Sequence, residues 1–125
     1  MLKILRAVWV WRVLFAILLG VVMTFALMPD DGEPGPPHVD KLQHIMGFVI
    51  LTISGLLAFP RSDKVMLALG LLAYGGLIEV LQSFTETRHA EWADLGADAL
   101  GILLAYGLML WGGRRQGSDQ LDQLP

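Results

Sequence analysis

Long apolar stretches alternate with short polar segments along this chain. The apolar stretches lie at about 7–28, 42–59, 65–84 and 92–111. Each is close to the roughly 20 residues that a helix needs to cross a hydrocarbon core of about 30 Å. The pattern therefore predicts an all-α fold, an integral membrane four-helix bundle that occupies residues 1–112. A disordered polar tail is expected over residues 113–125.

The polar segments between the stretches carry signals for helix ends. Residues 29–39 include four prolines and three acidic residues, and this composition cannot continue a helix. Asp40 precedes Gln43 by three residues, a spacing similar to the capping box at a helix start. The short segment 60–64 makes the second and third helices antiparallel neighbours. These connections predict a bundle of antiparallel hairpins.

The composition agrees with a membrane protein and excludes several function classes. Hydrophobic residues make up 54% of the chain and charged residues 17%, against about 25% charged residues in ordinary soluble domains. The formal net charge is −3 and no basic stripe is present, so nucleic acid is set aside as a partner. The absence of cysteine excludes disulfides, thiolate metal sites and thiol nucleophiles. The lipid bilayer is the partner that this composition requires.

The basic residues are distributed unevenly between the two predicted membrane faces. Seven of the nine Lys and Arg residues lie at or near the amino terminus, in the second loop or at the carboxyl terminus: Lys3, Arg6, Arg12, Arg61, Lys64, Arg114 and Arg115. The positive-inside rule then places both termini in the cytoplasm. Residues 25–28 lack the small-x-small cleavage pattern of signal peptides, so the first helix is expected to be an uncleaved anchor.

Ionisable and amide side chains gather near the opposite face. With four spans, the first and third loops share one side of the membrane, which places these residues together: Asp40, His44, Glu79, Gln82, Arg88, Asp94 and Asp98. In the fourth helix, Asp94 and Asp98 share a stripe with Gly101 and Ala105. Because small residues mark helix contacts in membranes, we expect the polar groups to converge inside the bundle as an outward-facing polar pocket.

Short motifs on the second to fourth helices resemble those of the VanZ-like family, membrane proteins named for a teicoplanin-resistance protein. The resemblance covers about residues 40–107 and rests on Asp-Lys-Leu-Gln-His at 40–44 with Phe48, Ile-Glu-Val-Leu-Gln at 78–82 with Phe84, Arg88, and Asp-Leu-Gly-Ala-Asp-Ala-Leu-Gly at 94–101. One position departs from the family pattern. The family usually carries asparagine where this chain has Asp98, which adds an ionisable group.

The resemblance implies a location and a biological context. It implies a multi-pass protein of the bacterial cytoplasmic (inner) membrane and a role in the cell envelope. It also implies a link to reduced susceptibility to glycopeptide antibiotics such as teicoplanin. It implies no particular reaction.

The negative charges of the carboxylates must be neutralised inside the membrane, which leads to a structural hypothesis. Glu79, Asp94 and Asp98 cannot all be ionised at low cost in a low-dielectric setting. Arg88 is the nearest candidate cation in the sequence, and an Arg–carboxylate pair can be bidentate. In this hypothesis, Arg88, Gln82 and the carboxylates form a network that ties the third and fourth helices together.

Some of these residues also have explanations at helix ends. Asp40 is expected to cap the second helix, and Asp94 lies near the positive end of the fourth helix dipole. Glu79 has no such explanation, because it lies near the carboxyl end of the third helix and needs a partner or a proton there.

Three functional hypotheses stand beside the structural one. In the first, the pocket binds a lipid-linked or peptidoglycan-related ligand, with Arg88 and His44 meeting its anionic group. In the second, a divalent cation activates water for hydrolysis or group transfer on an envelope lipid; the candidate ligands are His44, Glu79, Asp94 and Asp98. In the third, the carboxylates relay protons or ions. Because no HExxH or comparable spacing is present, the metal-dependent reaction is less favoured than ligand binding. The working hypothesis is a non-enzymatic envelope membrane protein with this polar pocket and no cofactor, and the oligomeric state stays open.

Overall fold

The structure is a computed structural model that describes residues 2–29, 35 and 38–124. Its elements are α1 (Leu2–Leu27), α2 (Val39–Ala58), α3 (Lys64–Ser83) and α4 (Trp92–Leu121). All four helices are long and apolar enough to cross a membrane, and the described residues contain no strand. The prediction of an all-helical chain with four spans is confirmed. The chain is a multi-pass membrane protein.

The starts of α2 and α3 differ from the sequence prediction. The capping position of α2 is His38, which has a left-handed backbone with φ 67° and makes no side-chain capping bond. Asp40 therefore lies within the first turn and does not cap the helix, because α2 begins at Val39 and not near residue 42. In α3, Asp63 is the cap, and its carboxylate accepts hydrogen bonds from two backbone N–H groups of the first turn.

The end of α4 differs from the predicted disordered tail. The helix continues through Leu121, ten residues past the predicted boundary at 111, and leaves only the last few residues outside it. Arg114, Arg115 and Gln116 have good helix propensity, and an existing helix adds one backbone bond per residue as it extends. Polarity alone therefore did not end the helix. α1 likewise begins at Leu2, before the predicted start near residue 7.

The core lies where α2 packs against α3 and α4. Its buried apolar side chains are Phe48, Leu51, Leu71, Ile78 and Ile102. α2 contacts all three other helices, and its most extensive contact is with α4. A methyl group added at Gly101 would lie 2.6 Å from the Ile45 carbonyl oxygen, so α4 reaches this distance only with glycine at that position.

α1 packs partly buried apolar side chains against the core and adds polar contacts along its length. None of its described residues is buried. The Tyr74 hydroxyl of α3 donates to the Leu19 carbonyl oxygen, and Gln82 Nε2 donates to the Ala26 carbonyl oxygen at 2.9 Å. At the opposite end of the bundle, Arg12 Nε donates to Ala58 O at 3.1 Å, at the carboxyl end of α2. Such bonds substitute for a hydrophobic driving force, which lipid does not provide between helices.

The outer surface of the bundle is apolar. Large hydrophobic side chains are exposed on every helix, among them Val13, Ile17, Met46, Leu69, Leu77, Leu103 and Leu110. In water this exposure would be costly, whereas lipid tails solvate it. The helix order places the end of α1, the start of α2, the end of α3 and the start of α4 together. We call this region the polar end of the bundle.

Candidate functional site

Three ionisable side chains from three different helices meet inside the polar end. His44 of α2, Glu79 of α3 and Asp98 of α4 each offer one ligand-type atom, and these atoms lie within 4.8 Å of one another. We call these residues the inner cluster. His44 Nδ1 lies 2.7 Å from Asp98 Oδ1, and its Nε2 lies 3.9 Å from Asp94 Oδ2. His44 therefore stands between the two aspartates of α4.

Glycines create the space for this cluster. Asp98 is completely buried, and its Oδ2 lies 2.6 Å from the position that a methyl group on Gly75 would occupy. Gly75 is one turn before Glu79 on α3, so both residues lie on the same face of that helix. The absent side chain at Gly75 lets a carboxylate of α4 lie against α3.

Glu79 connects α3 with the start of α4. Its Oε2 accepts a hydrogen bond of 2.9 Å from the backbone N–H of Glu91, the residue that precedes α4. The other oxygen, Oε1, is buried and has no hydrogen-bond partner among the described residues. The sequence predicted that Glu79 needs a partner or a proton. The structure provides a backbone N–H, which satisfies one of the two carboxylate oxygens.

A second group of charges lies outside the inner cluster. Lys41 Nζ lies 3.4 Å from Asp40, 3.1 Å from Glu91 and 3.7 Å from Asp94. We call these four residues the outer group. Sequence reasoning missed Lys41 and Glu91 as members of the site. The available signal was spacing, because Lys41 precedes His44 by three residues and therefore shares its face of α2.

Arg88 and Gln82 do not neutralise the carboxylates. Arg88 Nε donates to the Met28 carbonyl oxygen at 2.9 Å, and Gln82 Nε2 donates to Ala26 O. The proposed pairing of Arg88 with the carboxylates is therefore corrected: among the described residues its partner is the end of α1. The unpaired carbonyl oxygens that every helix leaves at its carboxyl end explain this choice.

A cavity of about 620 Å³ lies beside the inner cluster, between α1, α2 and α3. Its apolar wall is formed by Val21, Val22, Phe25, Ala26, Gly47, Phe48 and Ile78, with Met28 and Pro29. Its polar side chains are Asp40, Gln43, His44, Gln82 and Arg88. His44 thus faces both the inner cluster and the cavity. The volume lies within the range of about 300–1,000 Å³ that is typical of small-molecule sites.

The arrangement could bind an amphipathic ligand, a proton or a metal ion. The cavity combines an apolar wall with hydrogen-bond donors, which suits an amphipathic ligand. The inner cluster joins an imidazole and two carboxylates, a donor set that holds a proton or a metal ion. The three carboxylates of the outer group, those of Asp40, Glu91 and Asp94, also lie within ligand distance of one another. Lys41, the fourth member, supplies a positive charge to them.

Comparisons of the chain with models of protein families, with curated proteins and with solved structures gave no match.

Proposed function

We propose that this protein is a VanZ-like protein of the bacterial cytoplasmic membrane, and that its cavity binds a lipid-linked envelope ligand with an anionic headgroup. The observation that carries the proposal is the cavity itself, which is apolar along α1 and polar at His44 and Arg88. A ligand with a hydrocarbon tail and a phosphate matches both parts. With both termini in the cytoplasm, the polar end faces the compartment in which peptidoglycan is assembled, which accounts for an effect on glycopeptide susceptibility.

Arg88 is the residue that best fits an anionic headgroup. A guanidinium presents five donors in a planar fork, which matches phosphate oxygens. Arg88 uses Nε for Met28 O, and its other donors have no partner among the described residues. His44 lines the same cavity from α2 and adds a second donor when it is protonated.

Filling the apolar part of the cavity should prevent binding. Gly47 lines the cavity, and a methyl group added there meets its nearest atom, a methyl carbon of Val22, only at 4.0 Å. The side chain of Gly47→Leu would therefore extend into the space of a ligand tail. We expect the purified variant to bind dioctanoyl phosphatidic acid at least tenfold more weakly than the original chain. Native mass spectrometry in detergent, with a titration of the lipid, measures this change.

Two comparisons make the lipid experiment specific. Gly107→Leu adds the same side chain where a methyl group meets no atom within 4 Å, and it should bind as the original chain does. Arg88→Gln should lose affinity for phosphatidic acid but not for dioctanoylglycerol, which carries no phosphate, because a charged hydrogen bond is worth about 1.5–3 kcal/mol. Equal binding by the Gly47→Leu variant and the original chain would contradict the proposal. A loss of folded protein in both Gly47→Leu and Arg88→Gln would favour the structural network.

The orientation can be tested separately, since the chain has no cysteine. The proposed topology places position 32, outside the described residues, on the external side and Gly113 in the cytoplasm. In intact cells, a membrane-impermeant maleimide should therefore label Gly32→Cys and leave Gly113→Cys unlabelled until the cells are lysed. The reverse labelling pattern would overturn the orientation.

A further inference from the structure

The inner cluster of His44, Glu79 and Asp98 has two buried carboxylate oxygens without a donor. Asp98 is 0% exposed and Glu79 9% exposed. Asp98 Oδ2 and Glu79 Oε1 have no hydrogen-bond partner among the described residues. The large majority of buried polar side-chain atoms in proteins have a hydrogen-bond partner. Two unsatisfied oxygens beside one imidazole therefore point to a missing positive group.

The neighbouring charged side chains do not supply that group. Lys41 lies beside Asp40, Glu91 and Asp94, so its charge is shared among the outer group. Within the inner cluster, His44 is the single side chain that can become positive, and it faces both Asp98 and Asp94. An unpaired carboxylate inside membrane-spanning helices costs several kcal/mol. One divalent cation would balance Glu79 and Asp98 together.

We propose that the inner cluster binds one divalent transition-metal ion of the Zn²⁺ class through His44, Glu79 and Asp98. A histidine nitrogen with two carboxylate oxygens suits zinc or manganese better than calcium or magnesium, which prefer oxygen ligands alone. Ligand atoms around one tetrahedral zinc ion lie about 3.4 Å apart. The three atoms of the cluster already lie within 4.8 Å of one another. To bind one ion through His44 Nδ1 and Asp98 Oδ1, that pair would move apart from its present 2.7 Å, while Glu79 would move closer.

Neighbouring residues hold the ligands in position. Glu79 is oriented by the Glu91 backbone N–H, which occupies Oε2 at 2.9 Å and leaves Oε1 buried without a hydrogen-bond partner among the described residues. Hydrogen bonds of this kind to a ligating carboxylate are typical of metal sites. Three protein ligands leave a fourth position open. Because His44 also lines the cavity, the ion would lie next to the ligand space.

Metal content of the purified full chain tests the proposal without any lipid. The chain is freed of its affinity tag, treated with EDTA and dialysed to equilibrium against Zn²⁺. Bound metal is measured by inductively coupled plasma mass spectrometry. We expect one zinc ion per chain. Glu79→Gln and Asp98→Asn should each weaken zinc binding at least tenfold. Glu86→Gln and His89→Gln change residues of the loop between α3 and α4, and they should bind zinc as the original chain does.

A spectroscopic measurement on the original chain tests the site without any variant, and variants of the outer group test its location. Co²⁺ bound to the original chain should give the intense visible absorption of a four-coordinate ion, and Zn²⁺ should displace it. Asp40→Asn and Glu91→Gln, in the outer group, should leave the stoichiometry at one. Absence of stoichiometric zinc in the original chain would overturn the proposal. The proposal would also be overturned if the Asp40→Asn and Glu91→Gln variants lost zinc while the Glu79→Gln variant retained it.

Discussion

Replacing Gly101 by alanine is expected to lower the free energy of unfolding by about 1–3 kcal/mol, the usual cost of overpacking a core. The added methyl group would lie 2.6 Å from the carbonyl oxygen of Ile45 and 2.9 Å from Cβ of Phe48. Neither atom can rotate away, because one belongs to the backbone of α2 and the other is attached directly to it. α2 and α4 would have to separate.

The matched control is Gly107→Ala on the same helix. A methyl group at Gly107 meets no atom within 4 Å, so the substitution should be neutral or gain up to about 1 kcal/mol from helix propensity. Both variants are compared by titration with sodium dodecyl sulfate, with helix content followed by circular dichroism. Equal stability of the Gly101→Ala and Gly107→Ala variants would show that α2 and α4 are not in close contact at Gly101.

Separation of α2 from α4 should also disturb the site. Asp98 precedes Gly101 by three residues on α4, while His44 immediately precedes Ile45 on α2. The 2.7 Å contact between His44 and Asp98 therefore depends on the same close approach. We infer that the glycine serves the position of the polar groups as much as the packing of the apolar ones.

The four spans could be predicted from the sequence because hydropathy and length are properties of contiguous residues. The stripe of small residues on α4 was also visible, and the structure buries Ala97, Gly101 and Ala105. Helix ends were less accessible. At His38 the backbone turns into a left-handed conformation without a capping side chain, whereas Asp40 offered a plausible cap at the wrong position.

The partners of individual side chains could not be predicted, because they depend on distances between helices. Arg88 seemed near the carboxylates in the sequence, yet its donor reaches Met28 at the end of α1. Lys41 is one of the two basic residues outside the predicted cytoplasmic set, and it lies within 4 Å of three carboxylates. Spacing on one helix predicts which residues share a face, but it does not tell which neighbouring helix that face meets.

Removing His44 while Asp98 remains is expected to be the most destabilising change at the polar end. His44→Leu leaves a completely buried carboxylate without the nitrogen that now lies 2.7 Å away. Breaking a buried ion pair from one side costs about 3–5 kcal/mol, so we expect a loss of about 3 kcal/mol. Titration with sodium dodecyl sulfate, followed by circular dichroism, measures this loss of stability. It is carried out at neutral pH with EDTA present so that bound metal does not contribute.

The double variant His44→Leu with Asp98→Leu separates this effect from lost packing. When both partners become apolar, neither leaves the other as an unpaired buried group, and such replacements are often neutral or stabilising. We therefore expect the double variant to recover most of the stability that His44→Leu loses, with an interaction energy of about 2 kcal/mol in the double-mutant cycle. His89→Leu, at an exposed histidine, should be close to neutral. If the losses of stability in the single variants His44→Leu and Asp98→Leu simply add in the double variant, His44 does not stabilise Asp98. The carboxylate must then be held by a proton or by another group.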